Sequence, residues 1–170
     1  KGIIGFKDSH AYKACKGGFR FGRRVQKCWK LTGHGYVSLL EALRHSCDIY
    51  FYQLGLSLGM DRINSVAIRF GLGEPTGIDL KGEYSGLLMD SVTYDKRNRK
   101  RRGWRWTRGQ ILNLVIGQGE LVTPLQMTNA YAGLGNTKFL YEPFIVKNVM
   151  SLKGEFLYKR APKVKNMLGL

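Results

Sequence analysis

No stretch of the 170-residue chain approaches the ~18 consecutive apolar residues that a membrane-spanning helix needs. The chain as given also shows no signal segment or anchor, so it is expected to behave as a soluble domain. Acidic residues are scarce: 12 Asp and Glu face 28 Lys and Arg, for a net charge of +16. The surface is therefore electropositive and favours anionic partners. No signature of an RNA- or DNA-reading module accompanies that charge, so nucleic acid is not the expected partner. There is no internal repeat. Cysteine is sparse and odd in number, at positions 15, 28 and 47, so disulfide pairing alone leaves one thiol over. Disorder is excluded by an apolar content of 44% with 12% aromatics. A chain of this length suits one compact domain with a real core.

The clearest local pattern surrounds Ser46-Cys47-Asp48. Ser38 and Glu41 have the spacing of a capping box and predict a helix start, with Leu39, Leu40 and Leu43 as its apolar face. Ser46 and Asp48 are both residue types that cap helices, which predicts a second helix from about Ser46. A hydroxyl and a carboxylate two residues apart then project from a rigid corner, a geometry that active sites use. On spacing alone, the competing reading is a pair of structural caps.

Asp61 is expected to cap a third helix, with Ile63, Val66, Ala67 and Phe70 on one buried face and Gly71 as the stop. Residues 71–86 read as a glycine-rich connector, and 86–108 as a basic segment on the surface. Its densest part, 96–108, reads as a solvated loop, though Trp104 and Trp106 offer rings for stacking bases or for a lipid interface. Residues 111–116 are apolar enough to be buried without declaring helix or strand. Thr123-Pro124 starts a helix with Met127, Ala130, Tyr131 and Leu134 on one face, ending at Gly135. A strand over 144–150, a turn at 151–154 and a return over 155–158 complete the reading. The organisation is a loop-rich part (1–35), a helical part (36–71), a connector with the basic loop (72–122), a helix (123–135) and a strand or hairpin (144–158). The class is mainly α with short β pieces.

An ordered string of motifs spans about residues 28–148. It comprises Gly33-His34-Gly35, Ser46-Cys47-Asp48, Tyr50-Phe51-Tyr52-Gln53-Leu54-Gly55, Leu58-Gly59-Met60-Asp61-Arg62-Ile63 and Phe70-Gly71-Leu72-Gly73. Thr76-Gly77-Ile78-Asp79-Leu80, Gly82-Glu83, and Ile116-Gly117-Gln118-Gly119 leading into Val122-Thr123-Pro124-Leu125-Gln126-Met127 follow in order. This string resembles the transpeptidase domain of class B penicillin-binding proteins, of the elongation type known as penicillin-binding protein 2. The resemblance implies a fragment of the α+β penicillin-binding transpeptidase (serine beta-lactamase-like) fold. It implies serine acyl transfer between peptidoglycan stem peptides, with beta-lactams trapping the nucleophile. By the same resemblance Ser46 relays protons, and Asp48 stands where asparagine is more usual and helps hold the substrate backbone. Elongation-machinery membrane proteins are the implied partners, and the periplasmic face of the bacterial cytoplasmic membrane the implied location.

The chemistry also needs a Ser-x-x-Lys nucleophile turn and a Lys-Thr-Gly strand. Neither is present; Lys30-Leu31-Thr32-Gly33 has an inserted leucine and precedes the motif it should follow. The isolated chain is therefore expected not to acylate. The alternative reading is a basic, zinc-stabilised binding module for nucleic acid or an anionic membrane surface.

Cys15, Cys28, Cys47 and His34 supply three thiolates and an imidazole, the donor set of a tetrahedral structural zinc site. Such a site would tether a loop-rich stretch that lacks its own core. Two other readings remain open: a Cys15–Cys28 disulfide with Cys47 buried, or three inert cysteines beside a core histidine. His10 is a substitute ligand. The resemblance adds weight to His34 and Cys47, because some relatives carry a metal at the Gly-His-Gly histidine and the residue between the serine and the aspartate. A metal there would fasten the Ser-Cys-Asp corner to the preceding loop.

Overall fold

Glycines and caps set the local turns from which the fold is built. The structure is a computed structural model and describes residues 7–8, 10–103 and 106–169. It divides into two compact units, the first Lys1–Ile63 with Ser91–Gly119 and the second Asn64–Asp90 with Glu120–Leu170.

In the first unit the segment expected to be loop-rich contains a hairpin, β1 (Gly18–Phe21) against antiparallel β2 (Arg24–Lys27). Gly18 pairs with Lys27 and Phe21 with Arg24, so the connection is the two residues Gly22-Arg23, with Gly22 at φ +59°. Such a short loop requires a positive φ, which glycine adopts without a Cβ clash. Helix α1 (Leu39–Arg44) starts at the predicted box: Ser38 Oγ accepts from the Glu41 N–H, and the Glu41 carboxylate accepts from the Ser38 N–H at 2.8 Å. Its predicted apolar face forms only at Leu39, which packs half-buried against the core, while Leu40 and Leu43 are 59% and 67% exposed and Ala42 is the buried residue.

Helix α2 (Asp48–Leu58) is the centre of this unit. Ile49, Tyr50 and Tyr52 are buried with Cys15, Cys28, Ala42, Cys47 and Leu112. At its far end Gly55 lies so close to α5 (Ile111–Leu114) and the residue after it that an added Cβ would come within 2.2 Å of a Val115 methyl. Residues 108–114 settle as a 3-10 turn (Arg108–Gln110) running into α5. Helix α3 (Met60–Arg69) opens with Met60, which packs with Ile111 and Leu114, flanked by Ile63 and Trp106.

The basic segment is not an irregular loop throughout: α4 (Ser91–Asn98) forms, with no buried residue. Trp106 closes onto it, with its N–H on Asp95 Oδ1 at 2.7 Å and its ring edge-on to Tyr94. Trp104, the other ring proposed for stacking, lies outside the described residues.

The second unit holds the end of α3, where Gly71 at φ +75° donates to Ile68 O and Leu72 to Ala67 O. This pair of bonds is a Schellman stop, so the predicted terminator acts as one. The predicted start does not, since Asp61 lies inside the first turn, and Val66 is 42% exposed where a buried face was expected. Helix α6 (Pro124–Asn136) begins at the Thr123 capping box. Met127, Tyr131 and Leu134 are exposed, and the face that packs is Gln126, Ala130 and Gly133. Glycine at 133 lets Leu140 and Leu168 approach, since an added Cβ would stand 3.1 and 3.0 Å from their methyl groups. Two antiparallel pairs complete the unit: β3 (Phe139–Tyr141) with β6 (Val164–Met167), and β4 (Asn148–Met150) with β5 (Phe156–Lys159).

Gln126 is the polar centre of this unit. It is 1% exposed, accepts from Thr123 N–H at 2.8 Å, and donates to Glu74 O and Ser85 O at 2.7 and 2.9 Å. Replacing it with a shape-matched apolar residue leaves those buried carbonyls and the amide without a partner. Gln126→Met is expected to destabilise the protein by at least about 2 kcal/mol in chemical denaturation. A loss below about 0.5 kcal/mol would remove Gln126 from that role.

Candidate functional site

The Ser-Cys-Asp corner begins where α1 ends. Ser46 N–H donates to Leu43 O at 3.3 Å and Cys47 N–H reaches back to Ala42 O at 2.9 Å. This is the same Schellman stop as at Gly71, with Ser46 at φ +49° in the position glycine usually holds. A left-handed non-glycine residue costs on the order of 1 kcal/mol. Ser46 is therefore not the N-cap that its residue type suggested. Cys47 is the N-cap of α2, without a side-chain capping bond, and Asp48 is the first helical residue.

Burial alternates across the corner: Ser46 is exposed, Cys47 fully buried and Asp48 half-buried. Trp29 braces it from outside. The Trp29 backbone N–H donates to Asp48 Oδ2, and its indole Nε1–H is shared between His45 O and Ser46 O, all at 3.0 Å. The sequence reading did not single out Trp29, and its position next to Cys28 is the one signal that points to it.

Beneath the corner, Cys15, Cys28, His34 and Cys47 bring one ligand atom each to within 4.8 Å of one another. The hairpin and two glycine turns assemble them. Cys15 exchanges backbone bonds with Gly35 at 2.8 and 3.0 Å, and Cys28 N–H donates to Gly17 O at 3.0 Å. Gly17 and Gly33 have φ of +80° and +83°, and a Cβ on either would lie 1.8 and 2.1 Å from the Leu31 and Cys15 carbonyl oxygens. Only glycine fits these two positions.

His34 Nδ1 lies 3.6 Å from both Cys15 Sγ and Cys28 Sγ. Two ligands on a tetrahedral zinc, at ~2.3 Å for sulfur and ~2.0–2.1 Å for nitrogen, stand about 3.6 Å apart. The residues present therefore fit a four-coordinate metal. His34 Nε2 is buried without a hydrogen-bond partner. Burial, then the neighbouring Lys30 and His45, lower the His34 pKa, which keeps the imidazole in its neutral, metal-binding form. Burial raises the Cys28 thiol and pushes Cys47 up to about 12. Without a cation these thiols hold their protons, and binding a metal must release them.

All three cysteines are free, so Cys15 and Cys28 are not joined in a disulfide. His10 does not enter the cluster: its ring stacks on Tyr36 at 4.6 Å and its N–H donates to Asp8.

Comparison with known proteins places this geometry in context. Peptidoglycan D,D-transpeptidase MrdA of Salmonella typhimurium is 38% identical over 138 residues, which cover 81% of this chain and 22% of the relative. The MrdA of Acinetobacter baumannii is 36% identical over 135 residues, 79% of this chain and 19% of that one. The chain thus spans about a fifth of the length of these curated relatives. Among solved structures, the penicillin-binding protein PBP2 of Helicobacter pylori in its complex with MreC is similar at a TM-score of 0.71 with 30% identity, over 89% of this chain and 26% of that one. Pseudomonas aeruginosa PBP2 in complex with WCK 5153 gives a TM-score of 0.71 with 31% identity, over 88% of this chain and 33% of that one. The helices with short strand pairs are a fragment of the α+β fold these proteins share. The family model for the penicillin binding protein transpeptidase domain matches residues 6–168, nearly all of the chain, and the chain accordingly belongs to that family.

Proposed function

We propose that these residues serve a peptidoglycan D,D-transpeptidase, working on stem peptides at the periplasmic face of the cytoplasmic membrane, and that Ser46 and Asp48 are its site residues here. The observation that carries this reading is the corner itself: a buried Cys47 holds an exposed hydroxyl on one side and a braced carboxylate on the other. Acyl transfer breaks the terminal amide of a donor stem and forms a new amide with an acceptor amine. The residues described contain no Ser-x-x-Lys nucleophile, so another segment of the enzyme supplies it. Ser46 Oγ is suited to pass a proton to the leaving amine and take one from the attacking amine. Asp48, with one oxygen held by Trp29 N–H, has a second oxygen available to orient the substrate backbone. Beta-lactams are inhibitors on this reading, and elongation-machinery membrane proteins are the partners.

Cys15, Cys28, His34 and Cys47 would hold zinc through four protein ligands, and the metal would then supply structure and no reaction chemistry. With Cys47 so held, its side chain would stay inward while Ser46 and Asp48 remain at the surface of the corner.

The reading has three consequences. In the full-length enzyme, Ser46→Gly relieves the left-handed backbone and is expected to raise stability by about 1 kcal/mol. It is also expected to slow acylation by a beta-lactam by about 100-fold. Raised stability with unchanged acylation would make Ser46 a purely structural residue. Elemental analysis of purified protein should find one zinc per chain, lost in Cys15→Ser together with a lowered Tm. Protein without zinc and with a Cys15–Cys28 crosslink would overturn the metal assignment. A fluorescent penicillin should leave the 170-residue chain itself unlabelled, and covalent labelling would place a nucleophile within it.

A further inference from the structure

The first unit contains a concave feature that the acyl-transfer reading does not use. A cavity of about 600 Å³ lies between the tip of the β1–β2 hairpin and the segment from Thr107 to Asn113, with Tyr94 of α4 on one side. Arg23, Arg24 and Arg108 line it, together with the aromatic residues Phe21 and Tyr94. None of the three arginines forms an ion pair among the described residues.

The walls are fixed. An added Cβ at Gly109 would stand 3.3 Å from the Phe21 ring, so the 3-10 turn packs tightly on the strand that leads to the hairpin tip. Arg108 Nη2 donates to Leu56 O at 3.0 Å, which holds its guanidinium in place and leaves the other N–H groups available. Asp95, next to Tyr94, has an oxygen engaged by the Trp106 N–H. The basic run that begins on α4 and continues past it adds Lys96, Arg97, Arg99, Lys100 and Arg102, all exposed.

We propose that this cavity is a binding site for an organic phosphate ester, with a diphosphate group held by the three guanidinium forks and its organic part lying against Phe21 and Tyr94. The fork geometry of arginine matches phosphate oxygens in pairs, and a multiply charged anion can engage several forks at once. Gathering unpaired arginines around one cavity is unfavourable without such an anion. A volume of about 600 Å³ exceeds what the charged group alone occupies, and aromatic walls are the feature that an attached organic moiety would use. The inference stands apart from the Ser46 and Asp48 reading, since none of these residues belongs to that corner.

The test is calorimetric titration of the full-length protein with inorganic pyrophosphate. Arg23→Ala/Arg24→Ala is expected to weaken binding at least 10-fold. These residues are exposed at a hairpin tip, so the variant keeps the fold, whereas Arg108→Ala would also lose the tie to α2. Lys147→Ala/Lys153→Ala, which removes the same charge from the β4–β5 region, is expected to bind as the parent does. Undetectable pyrophosphate binding at millimolar concentration, equal affinity in the arginine variant, or equal weakening in the lysine variant would overturn the site. Citrate binding as tightly as pyrophosphate would overturn its phosphate chemistry. Phosphatidylcholine vesicles doped with a prenyl diphosphate distinguish the sources. Retention on them through the same arginines identifies a lipid headgroup, and pyrophosphate binding without vesicle retention identifies a soluble ester. Beta-lactam labelling of the same variants reads the acyl-transfer function separately.

Discussion

The bond from the Cys47 N–H back to the Ala42 carbonyl is the contact on which the candidate site depends. It ends α1 abruptly, and the chain can make that reversal only if the intervening residue takes a positive φ. Ser46 takes it at φ +49°. The strain is small beside what surrounds it. Cys47 is driven to full burial in a cluster with Ile49, Tyr50 and Leu112, and α2 starts immediately afterwards. A one-residue difference at this turn would exchange the buried thiol for the hydroxyl. The candidate groups are thus displayed by a backbone constraint, and their own preferences play little part.

The four potential ligands illustrate how a segment with few apolar residues acquires a fixed shape. Hairpin pairing brings Cys15 and Cys28 side by side, glycine turns at 17 and 33 draw His34 in, and the end of α1 delivers Cys47. None of these contributions is strong alone. A two-stranded hairpin is marginal in water, and buried thiols with raised pKa values offer little attraction for one another. A shared cation would convert four weak placements into one rigid unit.

Much of this was legible in the sequence wherever the signal was short-range. The Ser38/Glu41 and Thr123/Gln126 boxes, the Gly71 stop and the Cys and His donor set depend on neighbours within a few residues or on residue type. Ser46 misled because serine favours N-caps, whereas its role here is set by the helix before it. The faces of α1 and α6 misled for a different reason. Apolar periodicity was taken to mark the packed side, and Ala130 does pack, yet Ala42 and Gly133 pack as well while Leu40, Leu43 and Tyr131 are exposed. Close approach selected small residues, and size is invisible to a period count. The pairing of β3 with β6 joins residues far apart in the chain and carries no local cue. Helix α4 buries nothing, so no apolar stripe announced it.

The left-handed backbone at residue 46 also discriminates between two alcohols. Threonine carries the same hydroxyl, but its extra methyl branches at Cβ, where a positive φ leaves least room. Proton relay by itself would accept either residue. The turn favours the unbranched one by degree, since Thr137 at the end of α6 holds the same backbone region at φ +61°, and that preference is set by the main chain before any substrate arrives.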